Sequence, residues 1–499
     1  MTETSTGAGQ EPQRDDIAAI AKGGRTNLLG FPIRLMGRIP FLLIAGRLYG
    51  ADSLGRLASA LVVIEFLALL SSMGLKRGLA RRLTEEEGHP ANAVGDAMLI
   101  SVFFGACAAT ALWLFPAPMF PSGRYSIYDL MLPLAIIPIT MTDIALAALA
   151  YHFNVGATVK ARSIVEPWTI SGSALGFYYL VPDGGLALAF IFANVCTMLA
   201  AVVPLVRAYG LPQQWRPHPF HLLGLARANL PLALAEGVEW GSRRLDVFIL
   251  GMFASPSAVG VYYIAQQVAS LPQKLKTSFE PILGPVITRS LKNKDYHAIA
   301  LQVCQVGFWI TAAQCGIALA LGIPGEGVMG LVGPHFVGGT GALAFLLAAE
   351  VVAATAVVAD SALIYMARMK NLAISLLTIA IQAGLTVGGI LLVDDLGLDQ
   401  LYRAAAAAAA LMLSLAIASV LKSWLLSRLL GERINNWRWP LVWAAAAASV
   451  VGWAATRFLP EWAELAFGIP AILAVYCWVI WNKGFGPEDR VLFRKSAKA

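Results

Sequence analysis

Charge is what this sequence has least of. Only 13% of its 499 residues are Asp, Glu, Lys or Arg, roughly half the share that soluble chains carry, while 58% are hydrophobic. That balance excludes a string of water-soluble domains and points to a chain that crosses a membrane many times. Cysteine is scarce too. Cys107, Cys196, Cys304, Cys315 and Cys477 all lie in apolar runs without a CxxC spacing, which excludes a disulfide framework or thiolate metal site and leaves small packing residues. His218 and His221 share a short HisProPheHis run with no Cys or acid at ligand spacing, so no metal site is expected there. No GxxxxGK[ST] loop is present to suggest nucleotide use. No cofactor, catalytic group or nucleic-acid partner is expected. Residues 1–27 are polar and lack the charged, apolar, small-residue order of a cleaved leader, so they are expected to form a cytoplasmic N-terminal segment.

What the chain has instead is long apolar runs. Windows of about 20 apolar residues, enough to cross a bilayer as helix, fall at 28–49, 55–75, 94–116, 127–151, 164–182, 184–207, 229–253, 257–284, 298–323, 341–366, 371–393, 400–424, 439–457 and 464–482. The fold class is therefore all-α integral membrane, with about 14 transmembrane helices. The cytoplasmic side should carry the excess of Lys and Arg between spans. With the N-terminus inside, the cytoplasmic segments hold Lys76, Arg77, Arg81 and Arg82, then Lys160 and Arg162, Arg289, Lys292 and Lys294, and others. The opposite side holds Arg47, Arg56, Arg124, Arg403 and Arg457. Both termini are thus expected in the cytoplasm. Trp437, Trp439 and Trp443 stand near span ends, as interfacial anchors do.

Six cations remain inside spans: Arg34, Arg38, Arg243, Arg244, Lys274 and Lys276. They occupy only the first, seventh and eighth windows. These windows also repeat one another. Gly46 and Gly55 recur as Gly251 and Gly260, Arg38 as Arg243, and Ala60, Val63 and Leu70 as Ala265, Val268 and Leu275, all at an offset of 205 residues. The reading is an internal duplication, with two parallel six-helix repeats related about an axis along the membrane normal. The expected layout is an N-lobe with its linker at 28–227, a C-lobe at 228–430, an accessory helix pair at 431–482 and a cytoplasmic tail at 483–499. Pro272, Pro281 and Pro285 in the eighth window predict a kinked or broken helix; Pro133 and Pro138 do the same for the fourth.

At these residues the chain resembles the multidrug/oligosaccharidyl-lipid/polysaccharide (MOP) flippase superfamily, in its polysaccharide-transport (Wzx-type) branch. The resemblance is carried by AGRLYGADSLGRLASALVVIEFLALLSSMGLKRGLARRL, RLDVFILGMFASPSAVGVYYIAQQV and VMGLVGPHFVGGTGALAFLLAAEVV, and covers about residues 28–430. It implies a V-shaped, two-lobed fold that moves a polyprenyl-pyrophosphate-linked oligosaccharide from the cytoplasmic to the periplasmic leaflet of a bacterial inner membrane by alternating access. The implied partners are the lipid-linked oligosaccharide, membrane lipid and polysaccharide polymerase machinery.

The six cations suit a pyrophosphate, since guanidinium forks bind phosphate oxygens bidentately and Lys adds point charge. Acids stand beside them: Glu239 and Asp246 are within one turn of Arg243, and Glu280 is one turn from Lys276. The cations therefore either meet ligand or are neutralised within their spans. Glu65, midway along the second window, is read as an ion-coupling residue or as the counter-ion of Arg38; Glu239 and Asp246 carry the same pair of readings. Asp96, Asp143, Glu350 and Asp360 either form a proton or sodium site or bond within their bundles. Two other functions stay open: a cation-coupled multidrug exporter of the same fold, and a membrane glycan polymerase or ligase.

Overall fold

The computed structural model describes residues 33–34, 36–85, 89–152, 154–435, 437–486 and 489. The 1–27 segment and most of the 483–499 tail lie outside them. All regular structure among the described residues is helical. The chain divides into two compact units, Met1–Gly241 and Ser242–Ala499.

Ten helical stretches are long and apolar enough to cross a membrane. They account for eleven of the predicted windows, because the first two fall together in Met36–Leu79. That stretch is broken at Gly50, whose φ of 78° is left-handed and open to glycine at little cost. Helix α1 (36–49) ends there in a π-helical turn, Ala45–Tyr49, and α2 (Gly50–Ser71) begins. The helices from the windows at 164–182, 229–253 and 257–284 all form but are too polar to join the ten. They belong to the run ending in α7 (Glu166–Leu180), to α9 (Pro219–Phe253) and to α10 (Pro256–Lys292). The break between α9 and α10, at Ala254–Ser255, stands 205 residues after that at Gly50.

In the first unit, α3 (Leu75–Glu85), α4 (Pro90–Leu114), α5 (Ile136–Tyr151), α6 (Val155–Val159), α7 and α8 (Gly185–Tyr209) follow. Pro133 lies in a 3₁₀ turn leading into α5, and Pro138 in its first turn, where a missing N–H leaves no helical bond unmade. Ile144, Ala145, Ala148 and Leu149 of α5 bury against Val94, Ala97 and Ile100 of α4, Ala201 and Leu205 of α8, and Leu75 and Leu79 of α3. The division between units falls inside α9 because its early turns belong to the first unit. Ala226 joins that core, and Glu236 pairs with Arg77 at 3.0 Å.

In the second unit, α10 runs through Pro272 without a break; Gln314 of α11 (Tyr296–Gly322), fully buried, donates to the Pro272 carbonyl at 3.2 Å. Of the two expectations for the eighth span, a kink or a break, the break is not met. Three helices follow: α12 (Gly325–Val332), α13 (Thr340–Met366) and α14 (Arg368–Asp395). α13 packs on α15 (Gln400–Leu430) through small residues: a Cβ at Gly341 would lie 3.7 Å from Ala405, and the Ser419 hydroxyl donates to the Val352 carbonyl and accepts from the Ala356 N–H. Side chains this short let helix backbones approach closely, which is how apolar helices gain contact energy in lipid.

The final pair, α16 (Trp439–Phe458) and α17 (Glu461–Gly484), is tied to α11. The Tyr476 hydroxyl donates to the Ala312 carbonyl at 2.8 Å. Beyond α17, the Asp489 carboxylate accepts from Arg438 (2.6 Å), Trp309 Nε1 (2.9 Å) and the Gly486 N–H (2.9 Å). Burial alone would raise the Asp489 pKa, but these donors and the Arg438 charge hold it below the usual carboxylate range. The clasp is thus at full strength above the unfolded Asp value of about 3.9 and is lost as pH falls through the lower folded value. Asp489→Asn should lower stability by about 1.5–3 kcal/mol at pH 7. Thermal melts read by tryptophan fluorescence check this: the wild-type advantage should vanish under acid.

Candidate functional site

The first unit gathers its in-span cations around α7. Gly37 of α1 lies so close to α7 that a Cβ there would come within 3.0 Å of the Trp168 ring, and Ser171 donates to the Gly37 carbonyl at 2.6 Å. Arg34 and Arg38 flank this contact one turn apart. Arg34 is thereby within electrostatic reach of Arg38, Arg162 and Glu166. Arg162 sits in a π-helical segment, Lys160–Val165, leading into α7. It donates to Asp143 of α5 at 2.5 Å and to Glu166 at 2.9 Å. Lys76 of α3 approaches Asp143 at 3.6 Å. Among the described residues, Arg34, Lys76 and Arg162 thus stand near Asp143 or Glu166, with Arg38 beside Arg34.

Arg162 and Lys76 are additions to the predicted set. Hydropathy places both among surface cations, because they follow the apolar runs. The one signal available was the Arg162–Glu166 spacing of four, a helical pair. Glu65 is half-buried on α2.

In the second unit, α9 carries Arg243, exposed, and Arg244, half-buried. Arg244 donates to the Gln266 side-chain oxygen at 2.9 Å. Asp246 is fully buried and meets Tyr262 and Gln266 of α10, not Arg243 as its spacing suggested. The side chains of Glu239, Lys274 and Lys276 lie outside the described residues. Asp143, Asp96 and Asp360 are paired within their own unit. Asp143 pairs as above. Asp96 accepts from Trp215 Nε1 at 2.8 Å and Arg82 at 3.2 Å, and Asp360 of α13 takes both oxygens to Lys422 of α15 at 2.7 Å.

A family model described as polysaccharide biosynthesis protein matches residues 44–312, more than half of the chain. The chain belongs to this family. No curated protein matches it. Among solved structures, it is similar to the lipid II flippase MurJ in an inward closed conformation, with 13% identity, TM-score 0.68, and 94% of this chain and 99% of that one covered. An inward-facing MATE-family multidrug resistance transporter gives 14% identity, TM-score 0.63, and 81% and 98% coverage. A MOP superfamily transporter from Pyrococcus furiosus gives 13%, 0.54, and 83% and 95%. The fold is accordingly that of MOP flippases and transporters, in a multi-pass membrane protein.

The Asp360–Lys422 pair braces two helices inside the second unit, with the Lys422 side chain only 8% exposed. Removing one partner leaves the other charge unmet. Lys422→Met should therefore cost about 2–3 kcal/mol, and the double variant with Asp360→Asn should recover most of it. Melting temperatures of detergent-purified single and double variants check this.

Proposed function

We propose that this protein is the flippase of a polyprenyl-pyrophosphate-linked oligosaccharide, carrying it from the cytoplasmic to the periplasmic leaflet of a bacterial inner membrane during lipopolysaccharide or exopolysaccharide synthesis. The observation that carries the reading is the cation excess around α7 among the described residues, where Arg34 is within electrostatic reach of Arg38, Arg162 and Glu166, and Lys76 and Arg162 share Asp143. A pyrophosphate supplies what such a group lacks. Guanidinium forks take its oxygens bidentately, and Lys adds charge. Arg243, Arg244, Lys274 and Lys276 are the counterparts in the second half of the chain. Family membership supports a role in polysaccharide synthesis, and the shared fold with a lipid II flippase supports flipping.

In this reading two six-helix repeats of a fourteen-span chain rock about a V-shaped cleft, the lipid tail stays in the bilayer and both termini stay in the cytoplasm. The matched breaks at Gly50 and Ala254–Ser255 support the duplication. Moving anionic charge out of a negative cytoplasm releases about 2.3 kcal/mol per charge per 100 mV, a drive that needs no nucleotide. The polysaccharide polymerase machinery would receive the product.

The fold shared with multidrug transporters favours a second reading, export of a cationic drug. It requires an acidic cleft, and the cation excess weighs against it. Polymerisation or ligation of the glycan is a weaker third reading, since the family's relatives in fold are transporters.

Arg38→Ala and Arg243→Ala, made separately, should each lower surface polysaccharide about tenfold or more, the loss of a charged hydrogen bond, and leave precursor in the cytoplasmic leaflet. Immunoblots of surface polymer and leaflet-resolved precursor assays read this. Normal polymer in both variants at normal protein level would reject the headgroup site, and altered drug susceptibility with normal polymer would favour the exporter.

A further inference from the structure

Each unit pairs a lysine with an aspartate across two helices, and the two pairs are built differently. In the second unit the Lys422 ammonium lies 2.7 Å from both oxygens of Asp360, with its side chain 8% exposed. In the first, Lys76 of α3 reaches only Oδ2 of Asp143, at 3.6 Å, and its side chain is 51% exposed. That separation is too long for a hydrogen bond, so the donors of this ammonium meet no acceptor among the described residues. An exposed pair held at such a distance adds little to stability. Nor does α3 need it as a brace, because Leu75 and Leu79 already pack in the core that α5 shares.

Asp143 has a firmer partner. Its Oδ1 accepts from Arg162 at 2.5 Å, and Arg162 donates to Glu166 as well. The charge of Asp143 therefore stays met when Lys76 leaves it. Lys76 is a cation on a stem fixed beside a buried leucine, with its head half in solvent and a weak hold on a carboxylate that can do without it. Arg34 lies within electrostatic reach of the same Arg162, so an anion drawn by these arginines arrives where Lys76 can turn to it.

We propose that Asp143 is a built-in competitor of the ligand: it holds Lys76 until a diphosphate takes Lys76 from it. The proposal deepens the flippase reading and rests on it for the identity of the ligand. The exchange is decided by charge. A diphosphate carries more negative charge than one carboxylate and brings its oxygens within hydrogen-bond distance, so the ammonium gains by changing partners. A singly charged phosphate, such as that of phosphatidylglycerol, offers no more charge than the aspartate it would replace. The pair thus sets a threshold that favours diphosphate-linked lipids over ordinary phospholipid headgroups. No covalent bond changes, and Asp143 stays ionised on Arg162 throughout.

The test uses the purified full chain with inorganic pyrophosphate as the probe. By titration calorimetry, Lys76→Met should weaken pyrophosphate binding about tenfold or more, the loss of a hydrogen bond between charged groups, and Lys76→Arg should keep it. Asp143→Asn leaves an oxygen for Arg162 but removes the competing charge, so it should tighten binding by about twofold to fivefold, the worth of an exposed ion pair. Opposite signs at the two ends of one pair separate exchange from bracing, since a brace cut at either end would move binding the same way. A second readout needs no variant: acetylation of lysines by an amine reagent, read by mass spectrometry, should show Lys76 protected by pyrophosphate and not by phosphatidylglycerol in nanodiscs. Weaker binding in both Lys76→Met and Asp143→Asn would overturn the proposal, as would protection by phosphatidylglycerol. Lys76 labelling that ignores pyrophosphate would also overturn it, and decides the matter if Asp143→Asn does not fold. Binding that Arg38→Ala weakens and Lys76→Met does not would remove the exchange and leave the headgroup site standing. An exchange that behaves as expected in a protein that moves no lipid-linked saccharide in proteoliposomes would remove the flippase reading alone.

Discussion

An ionised side chain surrounded by apolar atoms costs several kcal/mol unless opposite charge or hydrogen bonds meet it, and that cost organises both units of this protein. With so few charges in the chain, each one inside a helix pack either braces two helices or stands ready for something the chain does not supply. Arg162 braces α5 to the start of α7 through Asp143 and Glu166. Lys422 braces α15 to α13 through Asp360, on top of the small-residue packing that brings those helices together. Arg56 of α2 does the same toward Asp129 at 3.0 Å, at the turn that leads into α5. In lipid, where apolar side chains gain nothing by leaving solvent for one another, such polar contacts and close backbone approach are what hold neighbouring helices in register.

The same rule explains what could be read from sequence and what could not. Apolar length alone marks a span, so the ten stretches that are both long and apolar were legible, as was the separation of the first two windows, though not that Gly50 makes it. Three helices fall short of the ten although their windows were found, because polar residues dilute their hydropathy: Glu166, Pro167 and the serines of α7, and the acids and cations of α9 and α10. α10 also shows why a proline is a weak predictor of a break. Pro272 removes one N–H from the helical ladder, but the helix continues, and a buried glutamine from α11 adds a hydrogen bond at the proline carbonyl. That contact crosses 42 residues of chain and leaves no local trace.

The candidate site was legible to the same degree. Arg34 and Arg38 stand out because a cation within a span needs a reason. Arg162 does not, because a cation beside an apolar run looks like an orientation signal, and only the fold brings α3, α5 and the π-helical segment together around it. Spacing on one helix also misassigned a partner. Asp246 lies three residues from Arg243, yet its hydrogen bonds run across to α10, to Tyr262 and Gln266. Helical periodicity fixes which residues share a face; which neighbouring helix that face meets is a tertiary fact.

The two units divide the electrostatic work differently. Among the described residues around α7 the first unit keeps more positive than negative charge, and Asp143 and Glu166 are already committed to a guanidinium or an ammonium. A cationic ligand would have to displace those ties and would gain only repulsion from what remains; an anionic ligand finds donors with bonds to spare, since a guanidinium has five N–H groups and Arg162 spends two of its nitrogens on carboxylates. In the second unit the buried acid Asp246 instead meets neutral donors, the Tyr262 hydroxyl and the Gln266 amide, and the Gln266 oxygen in turn accepts from Arg244.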